Sequence, residues 1–530
     1  MDYGLWIMDF GLWIMDYGFW ILDYGSNKNM LENIKTKTSD LKQDINISIA
    51  EVSESNLNPV NNIDNEKLIH SHKLSKKLKW KVNLMILPFF MVTYFLQFLD
   101  KTLLNYASIM GIKKNLVGNE FSNLGTIFYV SYIAAEPFSA FIIQKIPAGR
   151  FLGFSITCWG IVVACHAATT SYVGLMIVRV LLGIFEAPVA PCLIIISSKW
   201  FTKPEQARRT FFWYAQTGIA QIVGSLMSFG FQHVHHTKIA SWQIMFIFMG
   251  AITVIVGILV FILLPDNPLE CKFLSEDEKM EVVEHIKENQ TGIEDRSYKF
   301  HQVKELLLEK ETWVMFFIII LSATNGGGLT VFSSQIMKTF GFSNEISALV
   351  QMPGAFFLIA STFVCCYLPS YTGQRSLMIA AVTIPTILGA ALYMGLPNSN
   401  KVGKLFGVYL LNFNGAVIAS IYAWNSANTA GYTKKNARNA MTLIAFCIGN
   451  IIGPQIFRAE DAPLYKPAKI IILAFLAAAF VLSIILRYFV RSENKRRDIL
   501  TANYTEEEKN KDVLMLDLTD RENLNFRYAY

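Results

Sequence analysis

The chain has 530 residues, of which 53% are hydrophobic and only 17% are charged, with a formal net charge of +6 at pH 7. This proportion of apolar residues, spread along most of the length, excludes an ordinary soluble protein. The basic residues are distributed over loops and tails instead of one soluble domain, so nucleic acid is not expected as a partner. Seven cysteines show no paired spacing of the metal-ligand kind, and neither a metal nor a cofactor is expected.

The chain begins with an imperfect heptapeptide repeat over residues 1–25, MDYGLWI, MDFGLWI, MDYGFWI and LDYG. Its apolar runs are too short to span a membrane, and a glycine in every unit opposes a coiled coil. It lacks the basic start and long apolar centre of a signal peptide. We interpret it as a low-complexity segment, followed over residues 26–80 by a disordered cytosolic tail rich in Asn, Ser, Asp and Lys.

Twelve apolar runs follow, each long enough for a helix that crosses the roughly 30 Å hydrocarbon layer of a bilayer. They are continuously apolar, which excludes the alternating strands of a membrane barrel. The sequence therefore predicts an all-α polytopic membrane protein in contact with the lipid bilayer. The predicted parts are a six-helix half over 81–264, a cytosolic linker over 265–311, a second six-helix half over 312–490 and a cytosolic tail over 491–530. The predicted spans are 84–107, 121–143, 152–170, 173–196, 211–231, 242–264, 312–336, 346–368, 375–396, 403–427, 438–459 and 468–490.

The orientation follows from basic residues that flank the first and last spans. Lysines are frequent between residues 73 and 81, and four basic residues lie between 491 and 497, which places both termini in the cytosol. Lysines on the opposite side oppose this assignment, so the topology depends on the tails and the linker. These lysines are Lys113, Lys114, Lys401, Lys404, Lys466 and Lys469. We expect the plasma membrane as the location.

The first span carries a polar stripe, because Tyr94, Gln97, Lys101 and Asn105 are separated by three, four and four residues and fall within about 80° of helix arc. An ionisable residue near the bilayer centre costs roughly 3 kcal/mol on insertion scales, so it needs a partner or a function. Lys101 is the cation expected to meet an anionic substrate, with the other stripe residues beside it. Alternatively, the adjacent Asp100 and Lys101 only neutralise one end of the helix.

The second and fourth spans add further candidates. Tyr132 either lines a cavity or packs, and both readings stay open. Arg179 and Glu186 lie two turns apart on one face, near 10 Å, and Glu186 falls closer to the membrane centre. A buried carboxylate there could load and release a proton, so Glu186 is the first candidate for proton coupling, with Arg179 and Asp100 next to it. A purely structural ion pair is the alternative.

The second half offers glycines and asparagines. The run Asn325-Gly326-Gly327-Gly328 interrupts the seventh span, and it indicates either backbone exposed at a substrate site or close helix packing. Gly449, Gly453 and Pro454 in the eleventh span predict a flexible gate helix. Four asparagines along the tenth span are candidates to complete the cavity, and one of them is assigned to substrate binding, Asn428. The others are Asn412, Asn414 and Asn425.

Between about Lys79 and Arg497 the sequence resembles the major facilitator superfamily, and within it the fungal allantoate permease group of the anion:cation symporter family. The resemblance is carried by seven segments. They are LQFLDKTLLNYASIMG, LGTIFYVSYIAAEP, VRVLLGIFEAPVAP, KWFTKPEQARRTFFWY, LPDNP, NTAGYTKKNARNA and IGNIIGPQIF.

This resemblance implies an alternating-access carrier driven by a proton gradient. Its substrates would be small anions such as allantoate, ureidosuccinate, vitamin acids or sulfur-containing anions. The family's Asp-Arg pair of the first helix matches Asp100-Lys101, where lysine offers a point charge in place of a bidentate fork. Its Arg and Glu of the fourth helix match Arg179 and Glu186, and its second-helix Tyr matches Tyr132. The family's charged gating signature is reduced to Lys145, Gly149 and Arg150.

The leading hypothesis is therefore a monomeric symporter of a small organic anion and a proton. A transporter-like nutrient sensor, which binds ligand without net flux, is the alternative. A membrane-bound enzyme ranks third, because no acid, base and nucleophile can be placed on one helix face.

Overall fold

A computed structural model describes residues 74–234, 239–287, 299–372, 374–397, 399–502 and 518–529. The heptapeptide repeat and nearly all of the predicted N-terminal tail lie outside the described residues. Within those ranges the regular structure is entirely helical.

The first half contains eight helical segments. The segments are α1 Lys76–Met110, α2 Glu120–Lys145, α3 Ala148–Cys165, α4 Tyr172–Glu186, α5 Val189–Trp200, α6 Lys203–Tyr214, α7 Gln216–Gln232 and α8 Ser241–Leu263. The predicted fourth span is built from two of them, α4 and α5.

Two linker helices and the second half follow. The linker contains two helices, α9 Glu276–Lys287 and α10 Phe300–Leu308. The helices of the second half are α11 Lys310–Thr339, α12 Asn344–Leu349, α13 Met352–Thr372, α14 Arg375–Gly395, α15 Lys401–Leu411, α16 Ala416–Asn428, α17 Tyr432–Gln455 and α18 Lys466–Leu500.

Ten of these helices or helix pairs, among the described residues, are long and apolar enough to cross a membrane. The predicted fifth and eleventh spans are helical as α7 and α17 but fall short of that threshold. α17 starts with Lys434, Lys435 and Arg438, which lowers its hydropathy. The chain is thus an all-α polytopic membrane protein. Among the described residues, three candidate spans are each divided into two helices: α4 with α5, α12 with α13, and α15 with α16.

The two halves are joined by hydrogen bonds at the end of the bundle opposite the termini, called the far end below. The Asn105 amide of α1 donates to Ser333 Oγ at 2.9 Å and to Gln351 Oε1 at 3.1 Å, and accepts from the Ser334 backbone at 2.7 Å. Between α2 and α17, Gln455 donates to Thr126 Oγ1 at 2.8 Å. Because a buried amide that both donates and accepts hydrogen bonds is costly to separate from its partners, the Asn105 contacts hold the far end closed.

At the end that carries the termini, each half has its own buried ionic cluster. In the first half Glu205 of α6 contacts Lys79 at 2.7 Å, Arg209 at 3.2 Å and His285 of linker helix α9 at 3.4 Å. Burial of Glu205 opposes its ionisation, but the hydrogen bond from Lys79 and the neighbouring positive charges outweigh it and lower its pKa to about 2.

The ionic cluster of the second half is centred on a cation, whereas that of the first half is centred on a carboxylate. Lys434 of α17 is fully buried, and its ammonium contacts Glu305 at 2.7 Å, Glu309 at 2.5 Å and Asp520 at 2.7 Å. Arg438 pairs with Glu309 as well. The three carboxylates are held by lysine, so their convergence is explained by this cation.

Asp520 belongs to a C-terminal segment, residues 518–529, that docks on the second half. The guanidinium of Arg497 in α18 donates to the backbone carbonyls of Asp520, Asn523 and Phe526 at 2.8 to 3.2 Å. The Tyr528 hydroxyl donates to the Asp520 carboxylate at 2.6 Å. The C-terminal segment therefore covers the second ionic cluster.

Asp520→Ala should lower the free energy of unfolding by about 1.5 to 3 kcal/mol, because it deletes one carboxylate of a buried ionic cluster. The pKa of Asp520 is lowered: burial opposes this, but Lys434 and Tyr528 favour the charged form. Its contribution is therefore present above the ordinary aspartate range and disappears only as pH falls through the depressed pKa. Thermal unfolding of the purified protein between pH 5 and 8 would measure the loss.

Asp498→Ala is the matched control, since Asp498 pairs with Arg527 at 2.9 Å but is 63% exposed. An exposed pair contributes little, so this variant should unfold within about 0.5 kcal/mol of wild type. Equal losses in both variants would contradict a stabilising role for the buried cluster.

Candidate functional site

The candidate site is centred on Glu186, the last residue of α4. Pro188 and Pro191 follow, and the helix resumes as α5 at Val189. One turn earlier, Gly183 lies against α2, and a Cβ there would stand 2.1 Å from Ser131 Oγ and 2.5 Å from the Phe128 carbonyl oxygen. The glycine thus lets α4 and α2 touch, which brings the Glu186 carboxylate against the side chains of α1 and α2.

Glu186 and Lys101 form a buried ion pair. The Lys101 ammonium of α1 lies 2.8 Å from Glu186 Oε1, and the carboxylate side chain is fully buried while that of lysine is 20% exposed. Gln97, one turn before Lys101, is within hydrogen-bonding reach of the same carboxylate. Two stripe residues of α1 and the carboxylate of α4 therefore converge.

Aromatic rings of α2 lie under the lysine. Its ammonium is 5.6 Å from the Phe128 ring centre and 5.7 Å from that of Tyr132. Both separations fall within the range of cation–π attraction, which is worth about 0.5 to 2 kcal/mol. Tyr132 therefore lies beside Lys101, at a distance at which its ring can also face a bound ligand.

Asp100 and Arg179 form a second buried group behind this pair. Both are at most 3% exposed and interact electrostatically, and the Trp159 indole lies beside the Asp100 carboxylate. Among the described residues, neither Asp100 oxygen has a hydrogen-bond partner, and the same holds for Nε and Nη2 of Arg179. The site thus contains two acids and two bases, so its formal charge is zero.

Three other predicted binding residues lie in different surroundings. Tyr94 packs between the rings of Trp213 and Tyr214, with both centres 5.4 Å away, and forms a wall. Asn105 belongs to the far-end contacts between the halves. Asn428 exchanges two hydrogen bonds with the Ala529 backbone, at 2.7 and 3.1 Å, at the docked C-terminal segment. The structure brings Gln97, Lys101 and Tyr132 together with Glu186, and does not bring Asn105 or Asn428 to them.

The second half faces this group with residues that the sequence analysis did not select. Phe446 of α17 lies 6.5 Å from Tyr129 across the interface, and Cys447 and Tyr422 lie near Tyr132. Phe128 was also missed, although it lies four residues before Tyr132 and so on the same face of α2. That spacing could have identified Phe128; nothing in the sequence pairs Phe446 with α2.

The seventh span is one continuous helix, α11, so the Asn325–Gly328 run does not break it. A Cβ on Gly327 would stand 2.8 Å from Asn450 Cα, one on Gly449 2.6 Å from the Ile320 carbonyl oxygen and one on Gly453 2.6 Å from the Gly328 nitrogen. Of the two readings left open, close packing between α11 and α17 is the one these contacts match. The tenth span is interrupted, because a 3₁₀ turn at Asn412–Gly415 separates α15 from α16.

Gly453→Ala should therefore destabilise the protein by about 1 to 3 kcal/mol, the usual range for overpacking a close contact. Gly326→Ala is the matched control, because a Cβ on Gly326 meets nothing within 4 Å. It should be neutral or slightly stabilising, since alanine favours a helix over glycine. Thermal unfolding of the two purified variants tests the difference, and equal stability would show that α11 and α17 can separate freely.

Comparison with known proteins identifies the family of this chain. A family model described as the Major Facilitator Superfamily matches residues 90–454. The chain belongs to this superfamily. It is 48% identical over 461 residues to the thiamine pathway transporter of Saccharomyces cerevisiae, covering 87% of each chain. It is 32% identical to the allantoate permease of the same yeast over 86% of each chain. The resemblance to the fungal allantoate permease group is thereby confirmed.

Solved structures share the major facilitator fold. An inward-facing, unoccupied bacterial homologue of the human lysosomal transporter Spinster aligns with a TM-score of 0.57 at 16% identity, over 78% of this chain and 96% of that one. The nucleoside transporter NupG aligns with a TM-score of 0.57 at 13% identity, over 76% and 99%. Its membership of the superfamily and its similarity to the two yeast transporters make this chain a transporter.

Two of the predicted gating residues, Gly149 and Arg150, lie at the start of α3. The Gly149 amide donates to Asp266 Oδ1 at 2.6 Å, which ties α3 to the end of the sixth span. Arg150 is exposed. Pro454 contributes to the contact between the halves, where a Cβ on Gly125 would be 3.2 Å from its ring.

Proposed function

We propose that this transporter carries a small organic anion together with a proton by alternating access. The observation that supports this most directly is the Lys101–Glu186 pair, a cation whose counter-ion is a titratable carboxylate in a buried, aromatic-lined position. A fixed cation attracts an anion, and a buried carboxylate can exchange a proton. The pair combines both properties at one contact.

The coupling follows from competition for the lysine. While Glu186 is ionised, it forms an ion pair with the Lys101 ammonium, so an approaching anion gains little electrostatic attraction. Protonation of Glu186 removes this counter-ion, so Lys101 becomes free to pair with the anionic group of a substrate. Proton and anion therefore load together. When both have left, Glu186 pairs with Lys101 again and the empty carrier returns with its internal charges compensated.

We further propose a monomer in the plasma membrane with both termini in the cytosol. The basic residues at both ends of the membrane region support this orientation. The far end then faces the outside, and the Asn105 contacts make this conformation closed to the exterior. Transport would require these hydrogen bonds to open while the termini end closes.

The proposed substrates are small carboxylates of the allantoate and ureidosuccinate type, vitamin acids or sulfur-containing anions. The similarity to an allantoate permease and to a thiamine pathway transporter supports this range. A lysine in place of the family's arginine favours anions that need a point charge over those that need two parallel hydrogen bonds.

Uptake by cells expressing the full chain tests the proposal. Allantoate, nicotinate, pantothenate, biotin and sulfonates would be offered at external pH 5 and pH 7, with and without a protonophore. Accumulation that rises at pH 5 and collapses with the protonophore is the expected result. Accumulation that ignores the protonophore would contradict proton coupling, and binding without flux at normal surface levels would favour a nutrient sensor.

A further inference from the structure

The C-terminal segment, residues 518–529, is held largely through its backbone. Asn494 of α18 exchanges two hydrogen bonds with the Tyr528 backbone, at 2.9 and 3.0 Å, as Asn428 of α16 does with Ala529. The Arg497 guanidinium donates to three further carbonyls of the segment. These three side chains are at most 3% exposed, so loss of the segment would deprive buried polar groups of their partners, which is costly. The second half thus contains a groove built for this peptide.

Side chains of the segment extend the contact to two more helices. Asp520 pairs with Lys434 in the first turn of α17, and Thr519 Oγ1 donates to Glu305 of α10 at 3.0 Å. Together with the backbone contacts, the segment joins the ends of α10, α16, α17 and α18. One short peptide therefore fixes the positions of four helix ends relative to one another.

Helix α17 connects this groove with the far end. Farther along the helix from Lys434, the Phe446 ring centre lies 6.5 Å from that of Tyr129 in α2, and Gln455 donates to Thr126 of α2 at 2.8 Å. These contacts join the two halves, so opening of the far end requires α17 to leave α2. Such a movement of α17 also acts on the contacts of Lys434.

The tenth span can change its shape between its two ends. The 3₁₀ turn at Asn412–Gly415 divides it, and a turn of this kind inside a helix often marks a hinge. The C-terminal segment is bonded to Asn428, the last residue of α16, on the termini side of the turn. It therefore restrains the part of the span that the turn leaves free to reorient.

We propose that the docked C-terminal segment acts as a latch that favours the conformation with the far end closed. The segment makes all its contacts in one arrangement of α10, α16, α17 and α18, and it stabilises that arrangement. Contacts made in one conformation shift the population toward it, and their loss shifts the population away. Release of the segment therefore increases the fraction of transporters whose far end is open. This inference rests on the alternating-access cycle of the proposed function, but not on the identity of the anion or on proton coupling.

Hydrogen–deuterium exchange of the full-length protein, followed by mass spectrometry, tests the latch. Asp520→Ala/Tyr528→Ala removes two side-chain anchors, so residues 518–529 should exchange faster than in wild type. Far-end peptides covering 105–111 and 330–338 should then exchange at least about fivefold faster, because each hydrogen bond changes an equilibrium by a factor of about 2 to 10. Peptides of α3 and α8, which pack on each other within the first half, should keep the wild-type rate.

Asn494→Leu changes the groove instead of the segment, and it leaves no unpaired amide at that position when the segment is released. It should reproduce both effects of the double variant. Asp498→Ala is the matched control, because it removes only the pair with Arg527, in which Asp498 is 63% exposed. This control should exchange as wild type does in the segment and at the far end.

Release of the segment in either variant with unchanged exchange at the far end would show that the second half moves as one rigid body, and it would overturn the proposal. Continued protection of residues 518–529 in both variants, or a uniform increase in all peptides, would contradict it as well. Hydrogen exchange needs neither substrate nor a proton gradient. Uptake that fails to depend on protons would therefore count against the proposed function and not against the latch.

Discussion

Glu186→Gln should abolish proton-driven accumulation while exchange of substrate across the membrane partly survives. A neutral amide resembles the protonated carboxylate, so Lys101 stays available to the anion, but no proton can be released. The loaded carrier can therefore move in both directions, whereas net uptake against a gradient stops. Accumulation at pH 5 and counterflow in preloaded vesicles measure the two activities separately.

Glu136→Gln provides the matched control for this variant. Glu136 is also a buried carboxylate of the membrane region, but among the described residues it forms no ion pair, and its Oε2 has no hydrogen-bond partner. Glu136→Gln should therefore leave proton-driven accumulation measurable. Equal accumulation by wild type and Glu186→Gln would remove Glu186 from the mechanism, and loss of accumulation in both variants would mean that coupling is not specific to the Lys101 pair.

Lys101→Ala should weaken anion binding by about two orders of magnitude, because truncating one partner of a buried charge pair typically costs 2 to 5 kcal/mol. The change removes the cation for the substrate and also leaves Glu186 without its counter-ion. The half-saturating concentration for counterflow would report the loss of affinity, and thermal unfolding would report any loss of stability.

Lys101→Arg separates charge from shape in the same experiment. It keeps the cation and adds the planar fork, so binding should persist. The double variant Lys101→Ala/Glu186→Gln should regain part of the stability lost in Lys101→Ala, because no unpaired charge remains. Unchanged half-saturation in Lys101→Ala would place the anion elsewhere in the protein.

The spacing within single helices predicted much of this site. Steps of three and four residues placed Gln97 and Lys101 on one face of α1, and both do contact or approach Glu186. The same argument grouped Asn105 with them, yet Asn105 lies two turns from Gln97 along the axis and reaches the second half instead. Helical periodicity determines the direction in which a side chain points around the helix axis. Its depth in the membrane and the helix that it contacts depend on how the bundle packs.

Local sequence was a weaker guide to where helices break. The triple glycine in the seventh span suggested a break, but glycines without side chains allow α17 to approach closely, and α11 is continuous through them. The tenth span, with Asn412 and Asn414, is interrupted, and Asn414 donates to the Ser322 carbonyl of α11 at 2.7 Å. Such tertiary hydrogen bonds compensate a broken helix, and they are not visible in the sequence.

The linker is divided between the two halves. Helix α9 contacts the first cluster and α1, through His285 with Glu205 and Glu278 with Lys81 at 2.5 Å, while α10 supplies Glu305 to Lys434 of the second cluster. Each six-helix half thus carries its own share of the linker. A gene cut between these two helices would encode two fragments, each retaining every ionic contact of its own cluster, which makes this transporter a natural candidate for assembly from two separately synthesised polypeptides.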